Sequence, residues 1–370
     1  MPRENILIVD DEKLIRWSMK QKLGSWGYQV SEAEDIREAM RKISQETPDL
    51  VTLDIKLPDG SGIELLKEIK ENHPTLPVIM ITAFGVVDVA VQALKLGAYD
   101  FIEKPINFEK LENIVRNALE TFRLKTQVAQ TFKTNKIRFS LENIVGRSKP
   151  IRDVLVLIKR LAQSGTTTLL VQGESGTGKD LVSRALHYES SRRDNPFFAL
   201  NCAAIPETLI ETELFGYEKG AFTDAKTMKK GVFEMADGGT VFLDEISEMH
   251  INMQSKFLRV LEDQTFRRVG GVKDISVNVQ VVASTNCNLE TVVSEGKFRE
   301  DLYYRLSVIP IVIPPLRERK EDIPALIEHF IQRYNIQFRK NVQGITPEGM
   351  KLLMNYSWPG NVRELKHAIE

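Results

Sequence analysis

Cysteine is scarce: Cys202 and Cys287 are the two thiols in 370 residues, too few for a disulfide framework or a four-thiolate zinc site. Five histidines are scattered without metal-ligand spacing. No apolar run approaches the ~20 residues of a membrane span. The first residues, Met1 to Asn5, lead into Ile6–Val9 and then acids, without the long apolar stretch and small-residue cleavage site of a signal peptide. Neither charge dominates, with 50 Lys and Arg against 51 Asp and Glu, and 42% hydrophobic content excludes a disordered chain. A small disulfide-stapled secreted module and a membrane-spanning protein are excluded, and a reducing cytoplasm is the expected location.

The balance of charge hides an asymmetry. Residues 1–120 carry 15 basic and 21 acidic side chains, net −6, and the remainder carries 35 and 30, net +5, so two electrostatically different domains are expected. In the first, β-branched runs at Ile6–Val9, Leu50–Leu53, Val78–Ile81 and Tyr99–Ile102 alternate with helical periodicity, the pattern of a doubly wound parallel α/β sheet. Leu111, Ile114, Val115, Ala118, Leu119 and Phe122 form the stripe of a closing amphipathic helix. A polar linker over 121–142 carries Leu124, Val128 and Phe132 at near-heptad spacing. A second α/β alternation follows over 143–315, with strands expected at Thr167–Val171, Phe197–Leu200, Thr240–Leu243 and Val277–Ala283, and 316–370 is helical only. Asn361 and Glu364 have capping-box spacing for the last helix, inside which the sequence stops, as a C-terminally truncated chain would.

Strand ends carry the chemistry of the first domain. Asp10 and Asp11 follow the first strand, Asp54 the third, Thr82 the fourth and Lys104 the fifth. In an open parallel sheet the carboxyl ends form one crevice, so these side chains should converge. Crowded carboxylates need a cation, and hard oxygen donors suit Mg²⁺. With Asp10, Asp11 and Asp54 around a metal, Asp54 on its central strand is placed to act as nucleophile on a phosphoryl group, while Lys104 and Thr82 balance the phosphoryl oxygens. Residues 1–120 resemble the flavodoxin-like receiver domain of two-component response regulators. The resemblance implies Asp54 as phosphoacceptor, a sensor histidine kinase as donor, and a switch in which Thr82 moves to the phosphoryl group and Phe101 follows it inward.

The second domain carries a nucleotide signature. Thr167–Val171 runs into Gly173-Glu174-Ser175-Gly176-Thr177-Gly178-Lys179-Asp180, a G-x-x-x-x-G-K loop between strand and helix whose amides cradle phosphates while the lysine reaches the terminal ones. Asp180 stands where a hydroxyl ligand for Mg²⁺ is usual. Downstream, Val241-Phe242-Leu243-Asp244-Glu245 ends an apolar strand in two acids, Asp244 suited to Mg²⁺ and Glu245 to activating water, so ATP hydrolysis is expected. Residues 143–370 resemble the P-loop AAA+ ATPase of the nitrogen-regulator class of sigma-54 activators, an α/β domain with an α-helical lid, in which an acidic residue at the Asp180 position is common. The resemblance implies Asn201 as a switch that holds Glu245 off the water, Thr285-Asn286 as first sensor, Arg299 and Arg305 as trans-acting arginines in a ring, and Arg363 as second sensor. On spacing alone, six residues on a helix are about 120° apart in azimuth, and a surface ion-pair role for the two arginines stays open.

Between Asn201 and the acidic strand, glycines and aromatics in Phe215-Gly216-Tyr217-Glu218-Lys219-Gly220-Ala221-Phe222-Thr223-Asp224-Ala225 suggest a loop presenting Phe222. In the family this loop reads GAFTGA and touches sigma-54, which implies sigma-54 contacts at Phe222 and Thr223. Asp224 replaces the second glycine, and aspartate tolerates a left-handed backbone better than most residues. Arg267 to Val272 should form a second protrusion packed beside the first. The expected protein is a phosphorylation-controlled AAA+ ATPase that remodels sigma-54 RNA polymerase, dimeric through receiver and linker and a ring through the ATPase. The alternative, prompted by Asp224, is the same machine acting on another protein target. No helix-turn-helix reader is present in these residues, so DNA contact would need a further C-terminal domain.

Overall fold

The computed structural model describes residues 4–83 and 87–370; the side chains of residues 83, 87–90, 124, 125 and 127–133 lie outside the described set. The chain separates into two compact units, Met1–Lys133 and Thr134–Glu370.

The first unit runs β1 (Asn5–Val9), α1 (Lys13–Ser25), β2 (Gln29–Ala33), α2 (Ile36–Glu46), β3 (Leu50–Asp54), α3 (Gly62–Asn72), β4 (Val78–Ala83), α4 (Val87–Lys95), β5 (Asp100–Lys104) and α5 (Phe108–Arg138). The five strands are parallel in the order β2-β1-β3-β4-β5, the flavodoxin-like arrangement. Successive side chains of a strand face opposite ways. Leu7, Val9, Val51, Leu53, Val78 and Met80 therefore pack into one core, and Ile6, Ile8, Leu50, Ile79 and Ile81 into the other. Burial on both faces is why these strands read as continuous apolar runs. The edge strand β2, Gln-Val-Ser-Glu-Ala, carries no such run. Leu111, Ile114, Val115, Ala118 and Leu119 are all buried, as their stripe predicts. α5 is unbroken to Arg138, so the anticipated linker begins inside the last helix of the receiver. The side chains of Leu124, Val128 and Phe132 lie outside the described residues.

The second unit contains α6 (Lys149–Gln163), β6 (Thr168–Gln172), α7 (Lys179–Tyr188), β7 (Phe197–Asn201), α8 (Glu207–Phe215), α9 (Val232–Met235), β8 (Thr240–Asp244), α10 (Ile251–Asp263), β9 (Gln280–Thr285), α11 (Leu289–Ser294), α12 (Glu300–Leu306) and β10 (Pro310–Val312). Its parallel sheet has the order β10-β6-β9-β8-β7. The three-residue edge strand β10 lacks a sequence signature. β9 starts later than its apolar run, because the backbone amides of Val277 and Asn278 are held by the Gln264 carbonyl and the Asp237 carboxylate. After Pro314 the chain is helical, with α13 (Ile323–Phe338), α14 (Pro347–Asn355) and α15 (Asn361–Ile369) packed around Leu316, Phe330, Trp358 and Leu365.

Asn361 is not the cap of α15. Its side chain is fully buried and bonded elsewhere, accepting from the Leu316 amide at 2.8 Å and donating to Glu174 and the Ser175 carbonyl, each at 3.1 Å. Glu364 reaches back to the amide of Gly360 instead.

Candidate phosphoacceptor and nucleotide sites

The carboxyl ends of β1, β3 and β5 bring the receiver's charged residues together. Lys104 Nζ lies 2.5 Å from Asp54 Oδ2, 3.1 Å from Asp10 Oδ2 and 2.9 Å from Glu12 Oε1. Carboxylate oxygens of Asp10, Asp11, Glu12 and Asp54 all lie within 4.8 Å of one another. Glu12 was not singled out from the sequence, although it continues the Asp10-Asp11 run. Asp10 is fully buried, Asp54 is 6% exposed and Asp11 is exposed. Burial raises the Asp10 carboxyl to about 6, against the pull of the Glu12 amide and of Lys104. Burial opposes the Lys104 charge too, but its bonds to Asp54, Glu12 and Asp10 outweigh that and raise its pKa. Four carboxylates facing one ammonium form a hard oxygen donor set with surplus negative charge, which fits Mg²⁺.

The loop after Asp54 is fixed by close packing. A Cβ on Gly62 would stand 1.9 Å from the Asp54 carbonyl oxygen, so only glycine fits there. Asp54 Oδ1 accepts from the Lys56 amide. Thr82, buried at the end of β4, follows Ile81, the register partner of Asp54. Phe101 is half-buried on β5, with Lys110 Nζ 5.4 Å from its ring centre.

In the second unit, residues 173–178 leave the buried strand β6 and enter α7 at Lys179. No side chain caps the start of α7, and the first-turn amides of such a helix are donors for an anion. Lys179 Nζ donates to the carbonyls of Gly173 and Glu174 at 2.7 and 3.2 Å. Burial lowers its pKa, opposed by Asp244 and Glu245 and reinforced by Arg363. The lid arginine, the P-loop lysine and the two acids therefore belong to one electrostatic site. Asp180 points elsewhere: both its oxygens accept from Arg184 Nε at 3.0 Å.

Asp244 accepts from the Ser284 hydroxyl and from the Glu245 amide. Glu245 sits in the left-handed region at φ 55°, which costs a residue with a Cβ about 1–2 kcal/mol and marks a position held by its surroundings. Cys202, whose amide donates to the Asp244 carbonyl, is buried, and its thiol is pushed up to about 12 by burial and the nearby acids. Asn201 does not reach Glu245 by a hydrogen bond. Its side-chain oxygen accepts from the amides of Ala203 and Ala204, closing the turn after β7. Thr285 is buried at the end of β9, and Asn286 is exposed beyond it. A groove of about 900 Å³ runs past Gly173, Glu174, Asn286, Tyr303 and Arg317.

The two arginines taken together from the sequence occupy different settings. Arg299 precedes α12 and pairs with Asp301 through two bonds of 3.0 and 2.7 Å, whereas Arg305, on the helix, donates to the Leu261 carbonyl at 2.9 Å. Arg363 is at the P-loop, its guanidinium 3.1 Å from Ser175 Oγ.

Phe222 is 45% exposed and stacks edge-on against Tyr217, with ring centres 4.9 Å apart; Thr223 is exposed beside it. Asp224 does not adopt the left-handed backbone; Gly216 and Gly220 do, at φ 73° and 84°. The side chain at 224 is therefore compatible with this loop path. The second protrusion packs beside the first: the Val269 amide donates to Gly216, and the Glu218 amide to Val269. Arg268 bridges Glu218 and Glu234.

An acylphosphate-type acidic crevice on one α/β unit, and a P-loop with an acidic strand end and an arginine-bearing lid on the next, define a receiver domain joined to an AAA+ ATPase. Family comparison agrees: the response regulator receiver domain matches residues 6–116, the sigma-54 interaction domain 144–312 and the AAA+ ATPase lid domain 317–370. The chain is 42% identical over 365 residues to regulatory protein AtoC of Escherichia coli, covering 99% of this chain and 79% of that protein. It is 46% identical over 366 residues to transcriptional regulatory protein ZraR of Klebsiella oxytoca, covering 99% and 81%. The crystal structure of NtrX from Brucella abortus superposes with a TM-score of 0.72 at 41% identity, covering 99% of this chain and 81% of that one. NtrX has also been solved in complex with ATP. The chain belongs to the family of sigma-54-activating response regulators and carries their AAA+ ATPase. Because the sigma-54 interaction domain matches across Asp224, a different protein target is not favoured.

Proposed function

We propose that phosphorylation of Asp54 controls assembly of the ATPase into a ring, which hydrolyses ATP to remodel sigma-54 RNA polymerase. A carboxylate oxygen of Asp54 attacks the phosphorus of a phosphohistidine on a sensor kinase; the acyl phosphate forms and the P–N bond to the imidazole breaks. Lys104, already bonded to Asp54, offsets charge on the phosphoryl oxygens. Asp10, Asp11, Glu12 and Asp54 are the residues that would hold Mg²⁺, which neutralises phosphoryl charge when bound. Thr82 and Phe101 relay the change to the far face of the receiver.

In the ATPase, the backbone amides of residues 173–178 and the Lys179 ammonium hold the phosphates, and Asp244 would hold Mg²⁺. Glu245 takes a proton from the attacking water, gated by Asn201, and Asn286 and Arg363 report on the γ-phosphate. Arg299 and Arg305 act on the ATP of a neighbouring subunit. Phe222 and Thr223 contact sigma-54. No described helix is long and apolar enough to cross a membrane.

The observation that carries this reading is the P-loop between β6 and α7, inside the sigma-54 interaction domain, with Lys179 at its end and the lid's Arg363 3.1 Å from Ser175 Oγ. The test is sigma-54 binding in the presence of ADP and an aluminium fluoride mimic of the transferring phosphoryl group. The wild-type chain should form the complex, and Phe222→Ala should lose it while hydrolysing ATP at the wild-type rate. Wild-type hydrolysis without complex formation would defeat the sigma-54 reading; loss of hydrolysis in Phe222→Ala would make that residue structural.

A further inference from the structure

The P-loop of this chain is bonded along its length to the lid and to the segment leading into it. Arg319 donates to the Thr177 carbonyl at 3.1 Å, and the amides of Val362 and Arg363 both donate to the Gly176 carbonyl, at 3.1 and 3.3 Å. The centre of this seam is the carboxylate of Glu174. Arg317 grips it with both terminal nitrogens, at 2.9 Å to one oxygen and 2.7 Å to the other. The fully buried Asn361 donates to the same carboxylate at 3.1 Å and ties down the Leu316 amide through its own oxygen. These bonds hold the Glu174 carboxyl below its usual range, Arg317 contributing most. The backbones close to contact: a Cβ on Gly176, which is left-handed at φ 80°, would stand 2.3 Å from the Gly360 carbonyl oxygen and 3.0 Å from Arg363 Cβ.

A carboxylate one residue into a phosphate-binding loop repels its ligand unless it is neutralised and turned away. Both conditions are met here by groups of the lid side. The same contacts place Arg363, two residues after Asn361, against Ser175. We propose that Glu174 is a positioning residue, with its carboxylate, Arg317 and Asn361 forming a clasp that locks the lid onto the P-loop and thereby delivers Arg363 to the bound nucleotide. This rests on the P-loop being the nucleotide site, and it assigns Glu174 to the lid and not to the phosphates. An open clasp frees the lid to swing and speeds nucleotide exit.

Arg317 and Glu174 are both about two-fifths exposed, so the clasp is screened by solvent. Its loss should change nucleotide dissociation by about fivefold. The experiment follows release of a fluorescent ADP, and KM for ATP, in the full chain carrying Arg317→Ala, Glu174→Gln or both. Each single variant should release ADP about fivefold faster and raise KM more than it lowers kcat. The double variant should match the singles, because contacting partners are not additive. Release within twofold of wild type in both singles, or additive effects in the double, would overturn the clasp. Failure of the wild-type chain to bind the fluorescent ADP would instead overturn the nucleotide site itself. Thermal melting within a few degrees of wild type separates an opened clasp from a misfolded lid, and a collapse confined to Arg317→Ala leaves Glu174→Gln to decide.

Discussion

Replacing Lys104 by methionine removes the ammonium set among the carboxylates of Asp10, Asp11, Glu12 and Asp54 while keeping most of the stem's volume. In the native arrangement its nitrogen is 2.5–3.1 Å from Asp54, Glu12 and Asp10, and Asp10 is fully buried. Breaking a buried ion pair by deleting one partner costs ~3–5 kcal/mol. The crevice mouth, where Asp11 and Glu12 are exposed, is screened, so a receiver destabilised by about 2 kcal/mol at pH 7.5 is expected. The sign of the pH dependence follows from Asp10. Its carboxyl titrates near 6 when folded and near 3.8 when unfolded, so the folded state holds the extra proton between those values and stability falls as pH rises through that window. Loss of the lysine pushes the folded value higher still. The deficit of Lys104→Met against wild type should therefore be small at pH 5 and largest at pH 7.5, and millimolar Mg²⁺ should narrow it. Urea titration at the two pH values, read by the emission of Trp17 and Trp26, measures this. A variant as stable as wild type at pH 7.5, or an equal deficit at both pH values, would refute the electrostatic account.

Three further outcomes are expected. Glu245→Ala should bind ATP with near wild-type affinity and lose at least a hundredfold in kcat, the scale of a removed general base; equal hydrolysis rates would remove Glu245 from catalysis. Arg299→Ala and Arg305→Ala should each abolish hydrolysis alone, and an equal mixture of either with Glu245→Ala should recover activity at about one interface in four of a head-to-tail ring. No recovery with Arg305→Ala would confine that arginine to holding the Leu261 carbonyl. His187 is fully buried on α7, bonded to Thr240 and packed on Tyr188 and Phe197, and burial lowers it to about 4. The unfolded chain takes that proton near 6.5, so the ATPase unit should lose stability as pH falls from 6.5 to 4, by about 3 kcal/mol at the lower end. His187→Gln should flatten that slope in thermal melts; an unchanged slope would place it elsewhere.

Central strands and their acidic ends were legible because burial on both faces writes continuous apolar runs, and because the charged side chains follow those runs directly, as Asp54 follows Leu50–Leu53 and Asp244 follows Val241–Leu243. The edge strands Gln29–Ala33 and Pro310–Val312 were not, being half-solvated or too short for a pattern, whereas the opposite edges, Asp100–Lys104 and Phe197–Asn201, were announced by Tyr99–Ile102 and Phe197–Leu200. Local spacing misread Asn361, whose cap-like position says nothing of the carboxylate and amide waiting 187 and 45 residues away in sequence. Arg317 and Arg319 escaped notice for the same reason: in sequence they are two charges in a basic stretch, and their partners, Glu174 and Thr177, become visible only when the lid meets the P-loop. The tolerance of aspartate for a left-handed backbone is not used at Asp224, since the loop does not require it there.

The state of Asp54 should govern ATP turnover through assembly. ATP hydrolysis per subunit should be measured across a hundredfold range of protein concentration, with and without a small-molecule phosphoryl donor, for the wild-type chain and Asp54→Asn. The rate per subunit should climb with concentration, and the donor should shift that climb in the wild type and leave Asp54→Asn unmoved. A flat rate at every concentration, the same in both proteins with or without donor, would contradict that control.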